Sequence, residues 1–80
     1  MSDPIKDVVE VVAKALVDHP DAVKVIENER RGMKVYSLTT APGDMGKIIG
    51  RQGRTAAAFR TLVALTAEKH GMRAQLDIRD

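Results

Sequence analysis

Eighty residues, 44% hydrophobic and 30% charged with a net charge of +2, describe one small globular domain, residues 1–80, with no room for a deep, lidded catalytic cavity. The lack of cysteine excludes a disulfide framework, thiolate zinc sites and thiol catalysis. No apolar run approaches the roughly 20 residues of a membrane span, and Met1-Ser2-Asp3-Pro4 does not read as a signal peptide, so the expected compartment is the cytoplasm.

The first predicted element is a helix over residues 4–18. Pro4 suits the first helical position, and Ser2 or Asp3 can cap it. Ile5, Val8, Val9, Val12 and Leu16 recur at helical spacing and define the core face. Asp18-His19-Pro20 ends the helix, because the residue before proline disfavours helical torsions. Two strands follow, over 22–28 and 33–40. The polar stretch Glu29-Arg30-Arg31-Gly32 between them predicts a hairpin.

Ala41-Pro42-Gly43-Asp44 breaks the second strand. A short helix fits 44–49, with Asp44 near its positive end. Gly50 to Gly53 interrupts it, and a longer helix runs over 54–70. Phe59, Leu62, Val63, Thr66 and Ala67 form its core stripe, and Gly71 suits the position beyond its end. The last element alternates cleanly: Met72, Ala74, Leu76 and Ile78 against Arg73, Gln75, Asp77 and Arg79, a strand with one buried face. The order α-β-β-α-α-β predicts an α+β fold with helices on one face of a three-stranded sheet.

Charge is unevenly spread. Residues 1–44 are net −2, residues 45–67 carry Lys47, Arg51, Arg54 and Arg60 with no acid, and residues 68–80 balance. A local basic patch on a near-neutral domain points to a polyanion contacted at one place; a solvated helix face is the alternative.

That patch surrounds Gly46-Lys47-Ile48-Ile49-Gly50-Arg51-Gln52-Gly53-Arg54. A P-loop would need four residues between its glycines and a hydroxyl residue after the lysine, where this chain has Ile48. A dinucleotide fingerprint would need one residue, not three, between Gly46 and Gly50, and a preceding strand. The remaining reading is G-x-x-G between two helices. Its glycines let the backbone turn sharply and let a phosphodiester chain approach without an intervening Cβ. Arg51 supplies charge, Gln52 supplies donors, and the start of the next helix favours an anion. Ile48-Ile49 offers an apolar floor for a base. A bare G-x-x-G also fits a plain tight turn between helices.

Ile48-Ile49-Gly50-Arg51-Gln52-Gly53-Arg54 resembles the signature loop of KH domains, and the element order resembles their type II, prokaryotic arrangement. The stretch from Ala41 to Arg54, followed by an alanine-rich helix containing Arg60-Thr61, is similar to the small stand-alone bacterial KH proteins, the KhpA family. The resemblance covers essentially the whole chain. It implies a mixed sheet, with the hairpin strands antiparallel and the last strand parallel to its neighbour, covered on one face by three helices. It implies binding of cellular RNA with weak sequence preference, as an RNA chaperone or post-transcriptional regulator. A second KH protein of the Jag or KhpB type is an implied partner, and self-association as a homodimer is a further expectation. Carried over by position, Gly50, Arg51, Gln52 and Gly53 are the backbone clamp, Ile49 is a groove residue, and Lys47 and Arg54 are flanking charges. Many KH domains place isoleucine three residues after the second glycine. This chain has Ala56 there, which makes the groove shallower.

The other side chains point elsewhere. Tyr36 and Phe59 are the only aromatics, too few for a base-stacking sheet. Phe59 reads as core, and Tyr36 as half-buried in a strand, with ligand contact the less favoured alternative. His19 and His70 lack metal-ligand spacing and read as exposed helix-end residues. No catalytic constellation stands out, so the chain reads as a non-enzyme needing no cofactor and no metal. Four neutralised phosphates would give a log–log salt slope of about −3 for a single strand. A backbone clamp accepts RNA and single-stranded DNA alike, and a KH fold serving mainly as a protein-interaction scaffold is the competing reading.

Overall fold

The computed structural model describes residues 3–79. Its elements are helix α1 (Pro4–Leu16), strands β1 (Lys24–Arg30) and β2 (Met33–Thr39), helix α2 (Met45–Ile49), helix α3 (Arg54–Lys69) and strand β3 (Ala74–Arg79). The sheet order is β1-β2-β3. β1 and β2 pair antiparallel, with Glu27 opposite Tyr36, and β2 and β3 pair parallel, with Tyr36 opposite Leu76. This is the expected α+β arrangement, a mixed sheet packed against α1, α2 and α3.

The element ends move by a few residues. Helix α1 stops at Leu16 rather than 18, and a single 3₁₀ turn at Pro20–Ala22 occupies what read as the start of the first strand, so β1 begins at Lys24. The hairpin turns on Arg31 and Gly32, both at positive φ (52° and 79°), the combination that suits a two-residue connection between right-twisted strands.

Asp3, at the foot of α1, accepts from the backbone N–H groups of Ile5 (2.9 Å) and Lys6 (3.2 Å) through one carboxylate oxygen. Its other oxygen accepts from the Tyr36 hydroxyl at 2.7 Å. One side chain thus caps a helix and satisfies the polar tip of a core residue on β2. Ser2, the other candidate cap, lies outside the described residues. Tyr36 is fully buried, so it is no ligand contact; the sequence reading placed it half in solvent because nothing in a strand pattern reveals a partner for its hydroxyl.

The core joins Ile5, Val9 and Ala13 of α1, Ile48 of α2, Phe59, Val63 and Ala67 of α3, and Tyr36, Leu38 and Leu76 of the sheet. Two expected core positions lie off this face. Leu62 is 41% exposed, and Val8 is only half-buried. Residues step about 100° around a helix. The buried set Ala56, Phe59, Val63 and Ala67 therefore centres the stripe well away from Leu62, which falls on its margin.

Burial pushes the Asp3 carboxyl up, but the Tyr36 hydroxyl and the Lys6 N–H outweigh it and hold the group below its ordinary value. A carboxyl with a depressed folded-state value stabilises the fold above its unfolded value, and that contribution fades as pH falls through the folded one. Asp3→Ala removes the cap and orphans a buried hydroxyl, and should cost about 2 kcal/mol at neutral pH in urea titration. The loss should shrink as pH falls below about 3.8.

Candidate nucleic-acid interface

Helix α2 is short and carries the loop at its C-terminal end. Ile48 is buried in the core, and its neighbour Ile49 is 42% exposed. One helical step of about 100° separates the two roles. Ile49 is therefore available as an apolar surface beside the loop, whereas Ile48, expected to share that floor, anchors α2 from beneath.

The loop itself is built from unusual torsions. Gly50 sits at φ 74°, ψ 177°, Gln52 at φ 56°, ψ 26°, and Gly53 at φ 73°, ψ 10°. Three of the four residues thus occupy positive φ, which side chains disfavour and which Gln52 adopts at a cost of about 1 kcal/mol or more. Backbone bonds hold this shape. The Gly50 N–H donates to the Gly46 carbonyl at 2.8 Å, and the Gly53 N–H donates to the Gly50 carbonyl at 3.2 Å.

The glycines differ in what they demand. A Cβ on Gly50 would lie 2.1 Å from the Thr55 hydroxyl oxygen and 2.5 Å from its Cβ, so the loop's entry is pressed against the first turn of α3. A Cβ on Gly53 would meet open space, and only its φ favours glycine. Gly53 also occupies the N-cap position of α3, and no side chain caps that end. The positive end of a long helix thus faces the loop without a built-in anion.

Arg51, Gln52 and Arg54 are exposed, and among the described residues neither Arg51, Arg54 nor Arg60 makes an ion pair. Lys47 differs. Its ammonium lies 3.2 Å from Asp18 and 3.7 Å from Asp44. The hydrogen bond from Lys47 to the Asp18 carboxylate holds its ammonium above the ordinary lysine value.

Asp44 plays a part that its position before α2 does not reveal. It was expected to face the positive end of α2, and it does occupy the N-cap position, yet it makes no side-chain cap there. Its carboxylate is buried and accepts from the His19 backbone N–H (3.0 Å), with the His19 Nδ1 at 3.1 Å. Burial pushes Asp44 up, but the His19 backbone and ring bonds outweigh it and hold the carboxyl below its ordinary value. His19 is an exposed helix-end residue, as expected, with a polar partner that spacing could not foretell. Among the described residues no group of three His, Asp or Glu side chains is arranged to hold a metal ion.

The loop geometry separates the two glycines experimentally. Gly53→Ala should cost about 1 kcal/mol, the strain of a side chain at positive φ. Gly50→Ala adds a collision with Thr55 and should cost at least twice as much. Thermal denaturation of the two variants, read by circular dichroism, checks the order.

Known proteins match this chain along nearly its whole length. A family profile described as "KhpA/KhpB, KH domain" matches residues 6–78. The protein named RNA-binding protein KhpA from Halalkalibacterium halodurans is 49% identical over 76 residues, 95% of this chain and 100% of that relative. The protein of the same name from Aquifex aeolicus is 45% identical, over 92% of this chain and 94% of its own length. That from Chlamydia muridarum is 38% identical, over 95% and 97%. With its type II topology, its glycine loop between two helices and these full-length relatives, the chain belongs to the KhpA/KhpB family of KH domains.

Proposed function

We propose that this chain is a single KH unit that binds single-stranded RNA by its backbone, acting as a broad-specificity RNA chaperone or post-transcriptional regulator, without enzymatic activity, in the cytoplasm. The observation that carries the reading is the loop from Gly50 to Gly53. It presents exposed, unpaired Arg51 and Gln52 on a backbone bent by three positive φ angles, in front of an uncapped helix start. Phosphates would lie against the Gly50–Gly53 backbone and the guanidinium groups of Arg51 and Arg54, with a base resting on Ile49. A clamp on phosphates does not engage the 2′-OH that distinguishes RNA, so single-stranded DNA is a second ligand of the same clamp. The names of the relatives, RNA-binding protein KhpA, support RNA as the physiological ligand. A partner of the Jag or KhpB type fits a family that spans both KhpA and KhpB.

Few free cations predict weak binding by one copy, and pairing raises the effective concentration of the second site. Val11 and Leu62 are 68% and 41% exposed, and with Val8 and Val12 they line a recess of about 380 Å³ on α1 and α3. We assign this surface to a second copy of the chain. Sedimentation should show a concentration-dependent dimer, and Val11→Glu should hold the protein monomeric while its circular dichroism is unchanged.

RNA binding is tested by fluorescence anisotropy with labelled single-stranded RNA. Arg51→Asp with Gln52→Asp should abolish binding in a protein that circular dichroism shows to be folded. With Lys47 engaged elsewhere, Arg51, Arg54 and Arg60 remain, and the log–log salt slope should be about −2. Equal binding by the double variant, or a slope near zero, would leave the protein-scaffold reading in its place.

A further inference from the structure

Lys47 lies in the basic stretch around the loop, and a lysine beside a phosphate clamp reads naturally as a phosphate contact. Its surroundings say otherwise. The ammonium sits between Asp18, at the end of the segment leaving α1, and Asp44, at the N-terminal end of α2. Lys47 itself stands only three residues before Gly50, about 4.5 Å along the axis at 1.5 Å per residue, yet its ammonium is drawn to carboxylates at the other end of the helix. A phosphate drawn to Lys47 would have to approach two carboxylates. A lysine swung toward the loop would leave Asp44, whose side chain is 3% exposed, without its ammonium partner.

Helix α2 is too short to hold a place by its own backbone bonds. What fixes it is Ile48 and Met45 packed on the core, and the cluster of Asp18, His19 and Asp44 at its start that Lys47 reaches back to join. The Gly50 N–H bonds back to Gly46, so any shift of α2 is passed directly to the first glycine of the loop. We propose that Lys47 is a positioning residue of the RNA clamp, tying α2 to the end of α1, and not a phosphate contact. This rests on the RNA-binding reading above.

The two roles differ in sign at Asp18, which is 68% exposed and can be changed without disturbing the core. RNA anisotropy is measured over a range of KCl concentrations for the native protein and for Lys47→Met, Lys47→Arg, Asp18→Asn and Arg51→Ala. Amide hydrogen exchange at Gly50, Arg51 and Gln52 is followed in each without RNA. Arg51→Ala sets the scale for a true phosphate contact, making the slope shallower by about 0.7. For a positioning lysine, Lys47→Met should weaken binding about threefold at an unchanged slope, the size expected from an exposed ion pair. Asp18→Asn should also weaken it, although it removes a negative charge. Both should speed loop exchange, and Lys47→Arg should restore affinity and protection. The proposal is overturned if Lys47→Met makes the slope shallower by about 0.7 and Asp18→Asn tightens binding. It is equally overturned if neither variant alters affinity or exchange. If Arg51→Ala leaves RNA binding unchanged, the clamp reading fails on its own, and the exchange rates still decide whether Lys47 orders the loop.

Discussion

A helix of one and a half turns cannot keep its own position in water, because the entropy of fixing its first turn is not recovered by so few hydrogen bonds. Helix α2 therefore depends on what touches it. One attachment is apolar, Ile48 sunk into the core with Met45 packed beside it. The other is the buried Asp44 carboxylate, which ties the start of α2 to the chain that leaves α1. A buried carboxylate is tolerated only when donors surround it, and here a backbone N–H, an imidazole and an ammonium do so. The pose of the glycine loop, and with it the direction in which Arg51 and Gln52 face, follows from these two attachments.

The loop is itself a second place where shape is imposed rather than preferred. Gln52 holds a torsion that costs free energy, and the contact between Gly50 and Thr55 leaves no slack. A pre-bent backbone does not have to be ordered when a ligand arrives, so little of the binding energy is lost to ordering. That suits a protein with few side chains to spend on contacts.

Much of this was legible in the sequence, and the limits have physical causes. Alternation revealed β3, and a helical stripe revealed α1 and α3, because burial of one face is periodic. The glycine spacing and its basic neighbours located the loop, because backbone torsion and charge are local properties. Tyr36, Asp44 and Lys47 were the residues least well read. Each depends on a partner far away along the chain: Asp3 for Tyr36, His19 for Asp44, Asp18 for Lys47. The margin between Leu62 and Val63 was also out of reach, since both are apolar and the packing of α3 against the sheet, α1 and α2 decides which one faces inward.

The parallel pairing of β2 with β3 has a consequence for how the molecule assembles. Antiparallel strands can close through a tight turn, as β1 and β2 do, but parallel neighbours need a long crossover. That crossover spans residues 40–73 and contains α2, the loop and α3. The hairpin can form early from local contacts, whereas the third strand docks only after the whole crossover has been drawn in, a closure whose entropy must be met before its contacts form. The segment that meets the ligand is thus the segment whose ordering completes the sheet. Its closure carries the largest loop entropy in the sheet, and a ligand that grips the ordered loop would stabilise the entire chain, β3 included.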